Sequence, residues 1–395
     1  MEDSAAMAYR DPDPFSLSAH GHELTFYPCG HDRLRALIDI IGKARTSLHV
    51  YYYLFEDDSI GEQVRNALAE AAQRGVAVRL IVDGFGTAAS GAFFEPIVKA
   101  GGSFAVFNTR RSARYLIRNH QKMVIADGKV GLIGGFNVSE HYFAPPAENG
   151  WHDLGLELTG PAVNQLSDWF DRLARWTHDD RARFRDIRRM VREWSPGDGP
   201  VRLLIGGPTR VPNSLVATIK RDLARATRLD LVMAYFSPPL SMRRLIRRIA
   251  GRGTARLVMA AKSDNGATIG AARSLYTRLL KSGTSIYEFL PCKLHMKLLV
   301  IDDAAYVGSA NFDMRSLRLN LEMMLRVEDA PLAAKLREMI DGMAQASDHI
   351  TLPVHRARRN WLNAIRWKLS FLLVGVLDYT VTRRLNLGLT TGEED

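Results

Sequence analysis

Cysteine is scarce in this chain: Cys29 and Cys292 are the two among 395 residues. Without metal-ligand spacing they exclude a zinc-type cysteine cluster and a disulfide scaffold, leave one disulfide open, and fit a reducing compartment. Acidic residues are outnumbered, 43 against 53 basic ones, for a formal net charge of +10. Such a balance suits an anionic partner, either a nucleic-acid backbone or an anionic lipid surface, and does not choose between them. Long apolar runs are missing. The uncharged stretch Leu369–Leu377 falls far short of the roughly 18–20 apolar residues a membrane-spanning helix requires. Residues 1–22 are polar, with Asp, Pro and Ser, and have neither a basic start nor an apolar body. No secretory signal is read there, and a mobile tail is expected. Core material is plentiful: a hydrophobic content of 46% excludes disorder, and the length suffices for two domains with full cores.

The chemistry concentrates in Lys293–Glu322, KLHMKLLVIDDAAYVGSANFDMRSLRLNLE. His295 and Lys297 stand two apart at the entrance to the apolar run Leu298–Ile301, so strand alternation puts imidazole and ammonium on one face. The turn Gly308-Ser309-Ala310-Asn311 follows a second short run, and its small residues let a substrate approach the backbone. The same layout occurs at Asn119–Asn137, NHQKMVIADGKVGLIGGFN. There His120, Lys122 and Asp127 match His295, Lys297 and Asp302, and Gly134–Asn137 matches Gly308–Asn311. A lone histidine is usually structural, but two copies of one pattern argue against chance.

The rest of the chain repeats with the motifs. Helix and strand signals alternate through Asp32–Lys43, Ser47–Phe55, a helix to Arg74, Val76–Val82, Phe93–Ala100 and Phe104–Asn108. A basic loop, Thr109–Arg118, then leads into His120. Beyond the linker at 196–200 the series returns: Ser214–Ala226, Leu229–Phe236, Ser241–Arg252, Ala255–Ala261, Ala271–Lys281 and Ser285–Phe289. This predicts an α/β protein of two similar halves, 23–195 and 201–352, with mixed, mostly parallel sheets. The segment 353–395 carries Arg356, Arg358, Arg359, Arg366, Lys368, Arg383 and Arg384 among Trp361 and Trp367. That composition suits a helix lying in a membrane interface, with a helix packed on the globular core as the alternative.

These motifs resemble the phospholipase D superfamily, whose signature is a duplicated HxKxxxxD followed by a small-residue turn and Asn. More narrowly, NHQKMVIADGKVGLIGGFNVSEHY, WHDLGLELTGPAV and LHMKLLVIDDAAYVGSANFDMRSLRLNLE are similar to bacterial cardiolipin synthases over about Phe26–Val327. The basic C-terminal segment resembles that of the class lacking N-terminal transmembrane helices. One departure is Tyr51 in HVYYYLFEDD, where many such synthases carry Glu before the paired aromatics.

The resemblance implies two α/β/α halves meeting at a pseudo-two-fold axis to form one site. It implies phosphatidyl transfer from one phosphatidylglycerol to another through a phosphatidyl-histidine, releasing glycerol, without cofactor or metal. The catalytic set it carries over is His120, Lys122, Asp127, His295, Lys297 and Asp302, with His120 as nucleophile and His295 as acid and base. Asp127 and Asp302 are expected to hold the motif loops rather than touch substrate. Lys122, Asn137, Lys297, Ser309 and Asn311 would bind phosphate, with Ser139 a further hydroxyl contact, and Asp153 and Glu322 would orient the histidines. The partners implied are phosphatidylglycerol and an anionic membrane surface, not nucleic acid. The oligomeric state is left open, and the place is peripheral, on the cytoplasmic side of the bacterial inner membrane. Hydrolysis by water, a phosphatidylethanolamine donor, a nuclease of the same superfamily and a non-catalytic binding module are the competing readings.

Overall fold

The computed structural model describes residues 9–107, 118–263 and 266–377. Arg110, Arg111 and Arg114 of the basic loop and the terminal Arg383 and Arg384 lie outside the described residues.

The first half contributes β1 (Phe15–Ala19), β2 (His22–Tyr27), β3 (Ser47–Tyr52), β4 (Ala77–Asp83), β5 (Ser103–Phe107), β6 (Lys122–Ala126), β7 (Val130–Gly134), β8 (Trp151–His152) and β9 (Gly155–Thr159). All but β8 form one sheet in the order β1-β2-β9-β7-β6-β3-β4-β5. The second half contributes β10 (Val201–Gly206), β11 (Arg228–Met233), β12 (Phe236–Ser237), β13 (Thr254–Ala260), β14 (Ser285–Phe289), β15 (Lys293–Leu294), β16 (Lys297–Ile301), β17 (Ala304–Gly308), β18 (Phe312–Asp313), β19 (Glu322–Glu328) and β20 (Ser347–His349). Its sheet runs β10-β19-β17-β16-β11-β13-β14-β20. From β2 to β5 and from β10 to β14 the two orders are the same, so the duplication read in the motifs extends to the whole sheet.

The sheets are mixed as expected, but antiparallel pairs outnumber parallel ones. Within the two eight-stranded sheets parallel pairing is confined to β3-β4-β5 and β11-β13-β14. Sequence alternation suggested crossovers throughout, whereas the motif strands fold back directly. Asp127 (φ 56°) and Gly128 (φ 63°) turn β6 into β7, and Asp302 (φ 47°) turns β16 into β17. Left-handed residues at such positions are what a tight hairpin demands.

Every residue of β6 (KMVIA) and β16 (KLLVI) is buried, the continuous pattern of strands covered on both faces. Between the sheets lie the helices Ala162–His178 and Ala330–Gln345, in one core with Ile125, Trp169, Leu298, Leu325 and Leu336. Separate clusters pack the outer helices on the far face of each sheet. This shared central layer joins the halves.

One expectation needs correction. Part of residues 1–22, expected to be a tail, is structured: Phe15–Ala19 pairs with His22–Tyr27, and Asp11 Oδ1 lies 2.8 Å from His152 Nδ1. The alternating burial of β1 was hidden by its Ser-rich composition. The C-terminal helix Trp361–Ser370 packs on the globular body through Trp367 and Ser370 and exposes Trp361, Leu362 and Ile365. Cys29 and Cys292 are free thiols.

Candidate active site

Each motif histidine sits just before a central strand and is tied to the other half by backbone. His120 N–H donates to Leu321 O at 2.9 Å, and Leu321 N–H to Arg118 O at 2.9 Å. In the mirrored place β15 pairs with β8, and His295 N–H donates to His152 O at 2.8 Å. Leu321 and His152 directly precede Glu322 and Asp153. The symmetry therefore carries each acid across the axis: His120 Nδ1 lies 3.2 Å from Glu322 Oε2, and His295 Nδ1 lies 2.7 Å from Asp153 Oδ2. Among the described residues neither Nε2 has a hydrogen-bond partner, so each imidazole is anchored at one nitrogen and free at the other.

The two lysines begin β6 and β16. Lys122 Nζ donates to His120 O at 2.6 Å, and Lys297 Nζ donates to His295 O while standing 2.7 Å from His295 Nδ1. Nδ1 has one proton to give when neutral, and Asp153 is the acceptor for it, which leaves Lys297 on the carbonyl. Burial, with Lys122 beside it, pushes His120 down to about 4. Burial and Lys297 push His295 down to about 3. Both imidazoles are therefore neutral in the free protein at neutral pH. Burial also lowers Lys122 well below the ordinary lysine range. Burial alone would raise the two acids, but they are held below the usual carboxylate range, Asp153 chiefly by Lys297 and Glu322 chiefly by His120. With both imidazoles neutral, two lysines face two carboxylates, and the negative charge of a phosphodiester would favour protonation of an imidazole.

The structure does not bring every expected residue to this centre. Asp127 accepts from the backbone N–H groups of Arg45, Thr46 and Ser47, and Asp302 from those of Thr227 and Arg228. Both carboxylates thus close the hairpin turns against the strand entering β3 or β11. They stand apart from the histidine–acid pairs, holding the motif loops; the strict spacing to the histidine reflects the length of one strand. Ser309, expected on phosphate, donates its hydroxyl to Glu322. Asn137 is also engaged within the protein: its Nδ2 donates to Tyr142 Oη at 2.7 Å and its Oδ1 accepts from Leu54 N–H at 3.2 Å. Asn311 is buried, and among the described residues its Oδ1 has no hydrogen-bond partner. Ser139 is buried at the start of a short turn of helix and gives no side-chain cap.

Several residues at the centre were not singled out from sequence. The Tyr53 ring lies 4.8 Å from the His120 ring and 5.1 Å from Lys122 Nζ, while Trp151 and Tyr142 lie 5.2 and 5.0 Å from the His295 ring. Arg33, fully buried, donates to Asp153 O at 2.6 Å and Tyr142 O at 2.8 Å, bracing the acid from behind. Gln121 Nε2 does the same for Glu322 O at 3.1 Å. Asp83 accepts from Asn119 N–H at 2.8 Å, just before His120; its burial raises it to about 6. Tyr53 and Trp151 were legible in principle as aromatics next to motif ends. Arg33, inside an amphipathic helix, carried no signal.

The fold and site define a duplicated, phospholipase D-type α/β protein with two crossed histidine–acid pairs. Residues 37–174 and 219–344 match the family described as "Cardiolipin synthase, PLD-like domain", and the chain belongs to that family. It is 30% identical over 362 residues to the major cardiolipin synthase ClsA of Bacillus subtilis, covering 88% of this chain and 74% of that one. It is 32% identical over 312 residues to cardiolipin synthase 1 of Bacillus anthracis, covering 75% and 61%, and so spans less than two thirds of that relative. The crystal structure of phosphatidylserine synthase from Haemophilus influenzae has the same fold, with a TM-score of 0.71 at 15% identity, covering 97% and 99%.

Proposed function

We propose that this protein is a cardiolipin synthase, a phosphatidyltransferase that joins two phosphatidylglycerol molecules. The observation that carries the reading is the crossed anchoring of both histidines at Nδ1, which leaves two free Nε2 atoms with different jobs. His120 Nε2 attacks the phosphorus of the first lipid. The bond from phosphorus to the headgroup glycerol oxygen breaks, and His295, protonated once the anionic substrate is bound, gives that oxygen its proton. A headgroup hydroxyl of the second lipid then returns a proton to His295 and attacks the phosphatidyl-histidine, releasing cardiolipin and restoring His120. Lys122 and Lys297 neutralise the charge that grows on the phosphoryl oxygens, and the buried Asn311 amide, in the turn after β17, is assigned the same purpose. Glu322 and Asp153 fix the tautomers and stabilise each imidazolium as it forms. Residues 23–195, with the strand Phe15–Ala19 added, and 201–352 are the catalytic halves, and 353–395 is the membrane-associating segment. The enzyme works peripherally on an anionic surface, on the cytoplasmic side. Among the described residues no helix is long and apolar enough to cross a membrane.

The test is to incubate purified protein with vesicles of headgroup-labelled phosphatidylglycerol and identify the products. Cardiolipin with one glycerol released per molecule is expected. Phosphatidic acid as the sole lipid product would contradict the transferase and make water the acceptor.

A further inference from the structure

We propose that the membrane is met by a composite face made from the C-terminal helix and a helix of the second half, which seats the protein on anionic lipid in one fixed orientation. This deepens the membrane part of the function proposed above and does not depend on its chemistry. The helix Trp361–Ser370 lies along the helix Gly266–Leu280. The contact is close. A Cβ on Gly270 would stand 2.6 Å from Ser370 Oγ, and the Trp367 ring stacks on His355 at 5.3 Å, with His355 Nε2 3.0 Å from Thr277 Oγ1. One face is thus locked to the globular body.

The opposite face is apolar and uncovered. Trp361, Leu362, Ile365, Leu369, Leu372 and Leu373 recur at helical spacing, and Trp361 is 71% exposed. Six large apolar side chains in one stripe exceed the scattered exposure usual on a soluble surface. Two observations identify the occupant as anionic lipid. First, exposed cations with no ion-pair partner among the described residues lie near the stripe: Arg366 and Lys368 on the same helix, and Arg244, Arg247 and Arg248 on the neighbouring helix Leu240–Arg252, which has no acidic residue. Arg243 of that helix lies 5.5 Å over the Phe371 ring, so the helix Leu240–Arg252 adjoins the turn that carries Leu372 and Leu373. An apolar stripe with a tryptophan and a cationic rim is the pattern of a helix lying in the headgroup region. Second, the turn Phe371–Leu377 touches β12, which pairs with β18, the two residues after Asn311. The face therefore borders the structure that carries the catalytic centre, where an acyl-anchored substrate has to be delivered.

The test is sedimentation of the full-length protein with vesicles of phosphatidylglycerol and phosphatidylcholine, against phosphatidylcholine alone. Replacing Arg244, Arg247 and Arg248 together by Ala is expected to weaken binding to the anionic vesicles on the order of a hundredfold, with little change on phosphatidylcholine. Ile365→Ser, Leu369→Ser and Leu373→Ser combined should weaken both by about tenfold or more. Brominated acyl chains should quench the fluorescence of the wild-type protein, and Trp361→Phe should remove most of that quenching, a contact readout that needs no destabilising change. Wild-type binding without lipid turnover in mixed micelles would support the face while contradicting the reaction. Unchanged binding by both multiple variants, absence of Trp361-dependent quenching, or a wild-type dimer that the serine variant splits without losing vesicle binding would overturn the proposal.

Discussion

The His120 and His295 half-sites share a strand, a turn and a lysine, yet hold their histidines with acids of different length. His120 is met by the longer Glu322, with the Ser309 hydroxyl donating to the same carboxylate oxygen. His295 is met by the shorter Asp153, and the position matching Ser309 is Gly135. A Cβ there would lie 2.6 Å from Asp153 Oδ1 and 2.9 Å from Lys297 Cδ. The absence of a side chain thus lets acid and lysine close on His295, while its mate steadies an acid that reaches further. The halves are duplicates in backbone and differ in acid and turn residue, an asymmetry that the proposed nucleophile and proton carrier would use.

The largest expected effects separate the two histidines. His120→Ala and His295→Ala should each cut turnover by about 10⁴-fold or more, but His295→Ala alone should still acquire label from phosphatidylglycerol, slowly. Equal labelling of both variants would erase the functional difference. Next come the acids: Glu322→Gln and Asp153→Asn should each lower kcat by about 10³-fold with a smaller change in KM, because the tautomer is lost while binding surface remains. A KM effect alone would show that the acids bind substrate instead.

The third contrast is between the turn residues. Gly135→Ala should lower kcat by roughly 10²-fold through displacement of Asp153, whereas Ser309→Ala removes one hydrogen bond to a carboxylate and should cost about tenfold. The reverse order would mean that the Glu322 side is the tightly constrained one. The pH profile sharpens the same picture. His120 and His295 are pushed down to about 4 and about 3, so their neutral forms persist into acid. The acid limb of kcat/KM should then lie below the ordinary imidazole value; a limb near 6.5 would refute the desolvated site.

The smallest effect is expected at the hairpin aspartates. Asp127→Asn should leave turnover per folded molecule intact and destabilise the fold by about 1 kcal/mol, read by denaturant titration. Its folded pKa is lowered to about 2 by backbone N–H donors from Ser47, Thr46 and Arg45. The stabilisation is therefore present above the unfolded value and lost as pH falls toward 2; solvent exposure keeps it modest. Loss of turnover without loss of stability would return Asp127 to the catalytic set.

Much of this arrangement was legible in the sequence, because the motif strands carry period-2 chemistry and occur twice. His120, Lys122, His295 and Lys297 are fixed by spacing within one strand, and the helices after Asp58 and Asn213 by caps that accept from Gly61 and Val216. What spacing does not encode is pairing across the axis. Nothing in the order of residues shows that Asp153 serves His295 and Glu322 serves His120, because those contacts depend on backbone bonds at His152 and Leu321. The same applies to Ser309 and Asn137, whose types suit phosphate but whose hydrogen bonds are taken by Glu322, Tyr142 and Leu54 N–H. β1 was missed because half its surface faces solvent. The antiparallel majority was missed because strand–helix alternation says nothing of hairpins made by two motif aspartates.

The most direct test of the crossed, unequal half-sites is to quench the enzyme in neutral denaturant during turnover of phosphatidylglycerol labelled in its acyl chains and map the label by peptide mass spectrometry. Label on the peptide containing His120, retained in His295→Ala and absent in His120→Ala, is the result predicted. Label on the His295 peptide, or turnover with no covalent lipid on either, would contradict it.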